Sequence, residues 1–81
     1  MEANPLDEDE QLKNVIELVR MGLRERDRGN VEKARTLLIR ASRELESLLG
    51  IIEDFRRLLV VKLLERVNRE IKNLENSQRN Y

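Results

Sequence analysis

The chain has 81 residues, 40% of them hydrophobic and 2% aromatic, with 16 basic and 16 acidic side chains, 3 Gly, 1 Pro and neither Cys nor His. One small helical domain is the most that this length and composition hold, and zero net charge with so few aromatics argues against a nucleic-acid binder. Without Cys and His there is no disulfide, thiolate or iron–sulfur chemistry, nearly every zinc site is excluded, and the usual general base and nucleophile are missing, so a non-enzyme with no metal and no cofactor is expected.

Residues 1–9 form an acidic N-terminal segment. Glu2, Asp7, Glu8, Asp9 and Glu10 stand together without a base, which leaves sixteen bases against eleven acids in the rest of the chain. No apolar run reaches the ~18 residues of a membrane span, and the acidic start lacks the apolar stretch of a signal peptide, so a cytoplasmic protein is expected. The first helix is expected to begin at Asn4-Pro5, with Asn as cap and Pro in the first turn, or at Asp7 with Glu10 three residues on. Its apolar positions are Leu12, Val15, Ile16, Val19 and Leu23, in the spacing of one helical face. Gly22 lies on that face. A mid-helix glycine costs about 1 kcal/mol relative to Ala, and close approach of a second helix is the reason to keep it.

Gly29-Asn30 ends the first helix, because both residues tolerate positive φ. Asn30 is also a candidate cap for the next helix. A connection this short makes helices one and two antiparallel. Helix two carries Val31, Ala34, Leu38, Ala41, Leu45 and Leu48, three and four residues apart, with small Ala34 and Ala41 permitting a close seam. Gly50 is a candidate C′ residue and Asp54 a candidate cap, which puts helix three at about 54–76. The alternative is a single kinked helix continuing through Ile52, Phe55 and Leu59. Val60, Leu64, Val67, Ile71 and Leu74 form the seam of helix three, and Leu63 joins it. Residues 77–81 read as a polar, frayed tail. The fold expected is thus all-α: a three-helix antiparallel bundle over 10–76.

Phe55, Leu58, Leu59 and Val61 fall off the helix-three seam. They pack under the turn, or they form an exposed patch that drives homodimerisation or docks a partner helix on a larger complex. The many arginines (twelve of the sixteen bases) are ion-paired surface or grip the carboxylates of an acidic peptide.

The run Gly29-Asn30-Val31-Glu32-Lys33-Ala34, followed by Leu38 and Ala41 and preceded by Gly22, resembles the helical-hairpin signature shared by tetratricopeptide repeats and MIT (microtubule-interacting and trafficking) domains. One hairpin followed by a long third helix is similar to the MIT arrangement, and Arg69 stands where that family has an Arg. The resemblance implies a non-catalytic adaptor that binds tail peptides of ESCRT-III-like filament subunits between helices two and three. The groove expected on that basis is lined by Leu37, Ala41, Leu45 and Leu48 from helix two and by Leu59, Leu63, Val67 and Arg69 from helix three.

Overall fold

The computed structural model describes residues 5–79, and it describes side chains over residues 7–77. Three helices, α1 (Pro5–Asp27), α2 (Val31–Leu49) and α3 (Arg56–Arg79), pack side by side in one bundle with extents of 48 × 18 × 17 Å. The helix chain breaks between Leu49 and Arg56, so the single long shaft through residues 31–76 does not form. The expected cap Asn4 lies outside the described residues.

The seams close as their spacing dictates. Leu12, Val15 and Val19 of α1, Ala34, Leu38, Ala41, Leu45 and Leu48 of α2, and Val60, Val67 and Leu74 of α3 are all buried. Ile16, Leu23, Leu63, Leu64 and Ile71 are half-buried against them. α2 packs against both other helices and forms the middle of the bundle. Gly22 sets the α1/α2 approach: a Cβ built on it would meet Leu38 Cγ and Cδ2 at 2.8 Å. At that separation any side chain overlaps one of the best-buried leucines, which is why the helix keeps its weakest residue there.

The two turns differ in kind. Gly29 has φ +84°, the left-handed cap that only glycine adopts freely. Asn30 does not cap α2 with its side chain. Its Nδ2 instead donates to Glu25 Oε2 at 2.7 Å, so the residue fastens the turn backward. Gly50 is not a left-handed C′ glycine; it has φ −76° and ends α2 in right-handed geometry. The α2–α3 connection is held by Ile52, fully buried, and by two arginines. Arg57 Nη1 donates to Leu49 O at 2.6 Å, a carbonyl that the end of α2 leaves free, and to Ile52 O in the connection at 3.3 Å. Asp54 Oδ1 accepts from Arg56 N at 3.0 Å, so the expected cap residue does meet a free amide at the start of α3. α3 then runs past Asn76 to Arg79, in a stretch that contains no Gly or Pro to stop it.

α1 and α3 run parallel, tied by ion pairs at both ends. Arg56 reaches Glu8 at 2.8 Å and also meets Asp9. Arg26 reaches Glu70 at 2.6 Å. Arg35 of α2 pairs with Glu75 of α3 at 3.6 Å. Between α2 and α3, Ser42 Oγ lies 2.8 Å from Asn68 Oδ1, to which it donates; this gives a buried hydroxyl its partner.

Candidate interaction surface

The expected groove between helices two and three is filled by the bundle itself. Ala41, Leu45, Leu48 and Val67 are buried in the common core, so in this packing no ligand reaches them. The physical reason is the position of α2: a helix between two neighbours has its whole apolar arc covered by them. The remaining four residues do not share one groove. Leu37 lies with Met21, Arg24 and Lys33 in a depression between α1 and α2. Leu63 sits seven residues before Glu70, hence on the same face, and Glu70 is the residue that pairs with Arg26 of α1. Leu63 itself is half-buried against the core cluster. Leu59 and Arg69 are exposed.

The patch at the start of α3 is open. Phe55 is 88% exposed, Leu58 63% and Leu59 50%, while Val61 is half-buried. Ile51 in the preceding connection is also exposed. The spacing i, i+3, i+4 puts Phe55, Leu58 and Leu59 on one face. They cannot pack inward, because Val60 and Ile52 already fill the interior at this level and Arg56 occupies the flank toward α1. The exposed area of these apolar side chains, Ile51 included, is on the order of 500 Å², the size at which an apolar patch on a monomer is often functional.

Charge is segregated around that patch. On its N-terminal side stand Glu53 and Asp54, with Glu8 and Asp9 of α1 brought in by Arg56. The Asp54 carboxyl is held below the usual carboxylate range by hydrogen bonds from the Arg56 side chain and backbone. On its C-terminal side, Lys62, Arg66 and Arg69 follow along the same outer face of α3, with Lys72 at its edge. All four are exposed and have no hydrogen bond or ion pair among the described residues. Two of the three α3 acids, Glu70 and Glu75, are engaged with Arg26 and Arg35; Glu65 remains at the edge of the stripe.

The shallow concave surface between α1 and α2 is of a different kind. It is lined by Asn14, Glu17, Leu18, Met21, Arg40 and Glu44. Acids and bases alternate there, and Glu17 already pairs with Arg20. Sequence reading missed this depression, as well as the Arg57 bonds to the end of α2 and the Ser42–Asn68 contact. The sole sequence signal for the last was a serine beside the α2 seam. Among the described residues no group of three or more Asp, Glu, His or Cys could hold a metal ion, and no helix is long and apolar enough to cross a membrane.

No family model matches the chain, and no curated protein or solved structure does so either. The fold is thus a small three-helix bundle with an exposed apolar and aromatic patch, a generic protein-interaction surface, and the MIT likeness remains one of pattern.

Proposed function

We propose that this chain is a non-catalytic docking module whose contact surface is the Phe55, Leu58, Leu59 patch. One observation carries the reading: a marginal 81-residue domain leaves its only non-terminal aromatic, Phe55, 88% exposed. Exposing a phenylalanine and two leucines gives the isolated bundle nothing, whereas burying each against a partner is worth ~1.5–3 kcal/mol. A stable interface takes ~800 Å² from each side, more than the patch offers, so a homodimer built on it alone would be weak. A partner that also meets the surrounding charges is favoured.

From the MIT resemblance comes the finer proposal that the partner is a tail peptide of an ESCRT-III-like subunit. Titration of the labelled full chain with such a peptide, followed residue by residue by NMR, tests both levels. Shifts at Phe55, Leu58 and Leu59 that vanish in Phe55→Ser are expected. Shifts confined to the α1/α2 depression would overturn the patch as the site. No shifts at millimolar peptide would remove the ESCRT-III ligand.

A further inference from the structure

The two edges of the open face of α3 carry opposite charge orders. On the side from which Arg56 and Glu70 reach α1, the start is acidic: Glu8, Asp9 and Asp54 share the single guanidinium of Arg56, three carboxylates against one base. Glu53 beside them is exposed and has no ion pair among the described residues. Arg66, four residues before Glu70, follows on that side. On the side that meets α2, exposed Arg57 comes first, and Glu65 follows three residues before the Asn68 that binds Ser42. Arg66 and Glu65 have no hydrogen bond or ion pair among the described residues. Phe55, Leu58 and Lys62 run between the edges.

This face is complementary to itself. Two copies laid face to face and antiparallel about a two-fold axis bring each edge onto its own counterpart with the ends exchanged. Arg66 then lies over the acidic cluster, which stays net negative after Arg56 is counted, and Glu65 lies over Arg57. Phe55 and Lys62 stand about 5 Å to either side of the point midway between Leu58 and Leu59. With the axis at that point, leucines meet leucines and each Phe55 ring receives the other copy's Lys62. Parallel copies would instead stack Lys62 on Lys62 and Arg69 on Arg69 and align the two helix dipoles unfavourably. An anionic membrane is a plane of one sign, attracted to Lys62 and Arg66 and repelled by the acidic cluster. The stems of Lys62 and Arg66 add to the apolar patch and bring each side toward the ~800 Å² of a specific interface.

We propose that the open face of α3 is a self-association surface, on which two copies pair α3 against α3, antiparallel, about an axis between Leu58 and Leu59. The proposal rests on the patch being a contact surface and names a second copy as its occupant; a tail peptide at the patch competes with that copy. Sedimentation equilibrium of the full chain from about 5 to about 500 μM tests it, with circular dichroism as the fold check on each variant. A monomer–dimer equilibrium with Kd of tens of micromolar is expected for an interface of this size. Near 1 μM the chain is then monomeric, so unfolding at that concentration reads the isolated bundle. Phe55→Ser should weaken the dimer about a hundredfold or more, because two rings are lost per dimer. R66E should weaken it about tenfold, and E53K/R66E should return it to within about threefold of the parent. Direction is read from a spin label on K72C, the only thiol in a chain without Cys. Labels about 40 Å apart mark the antiparallel pair, and labels within about 20 Å a parallel one. Close labels, no effect of R66E or no recovery in E53K/R66E overturns the proposal; if Phe55→Ser still abolishes the dimer, the patch stands and the register falls. A chain monomeric throughout also overturns it. The patch then stands if Phe55 responds to the tail peptide, becomes a lipid surface if phosphatidylserine vesicles bind through Phe55, and falls if neither binds. A dimer indifferent to Phe55→Ser uses another face and overturns the proposal as well.

Discussion

α2 and the first turns of α3 both carry several leucines, yet they put them in opposite places. In α2, Leu38, Leu45 and Leu48 are sealed between two neighbours. At the start of α3, Leu58 and Leu59 stand in water beside Phe55. The difference arises from position in the bundle, since a central helix is covered on two sides and an outer one on a single arc. Leucine content therefore says little about function here; the number of neighbours decides whether it builds the core or remains open for docking.

Substitution of Leu38 probes the sealed side most strongly. Leu38→Ala removes a fully buried side chain at the α1/α2 seam, and a loss of about 3 kcal/mol by urea unfolding is expected. Gly22→Ala gains about 1 kcal/mol of helix propensity but drives a methyl into Leu38 Cγ, an overlap costing ~1–3 kcal/mol, so a net loss of about 1 kcal/mol is expected. The pair is coupled. In the double variant the new methyl enters the space that Leu38 vacates, so its total loss should be smaller than the sum of the two single losses. Strict additivity would mean that Gly22 does not set the approach.

The core was legible in the sequence because each seam repeats at three and four residues, and Gly22 and Gly29 were legible because each has one physical reason to be glycine. The groove was not. Whether Leu63 faces α1 or α2 depends on the rotation of α3 about its axis, and that rotation is fixed by pairs such as Arg26–Glu70 and Ser42–Asn68, distant in the chain. Periodicity gives the face that is buried, not the neighbour that buries it. Likewise Asn30 looked like a cap because of its place before α2, while its actual partner, Glu25, lies on the preceding helix.

That turn gives a smaller effect with a pH signature. Glu25 is buried, and its carboxyl is held below the ordinary range chiefly by the Asn30 side-chain hydrogen bond, then by Lys33 and Arg28, with burial opposing. A carboxylate with a lowered folded-state pKa stabilises above its unfolded value and loses that contribution as pH falls. Glu25→Gln should therefore melt lower than the parent at pH 7, and the gap should close as pH drops through about 4. A gap that persists at pH 3 would trace the effect to packing rather than charge.

The smallest stability effect is expected where the apolar content is most conspicuous. Phe55 is the largest apolar side chain off the core, and its exposed ring makes little contact that unfolding would lose. Phe55→Ser should leave the unfolding midpoint within ~0.5 kcal/mol of the parent, the range of surface changes. The same substitution in the core would unfold the domain, so the size of this response separates the two regions directly. A loss above ~2 kcal/mol would mean that Phe55 is covered by the chain's own residues in solution. The patch would then belong to the interior, as α2's leucines do, and α3 would have no free apolar surface to offer a partner. A midpoint unchanged while peptide binding disappears leaves one account of an exposed aromatic in so small a domain: a partner covers it.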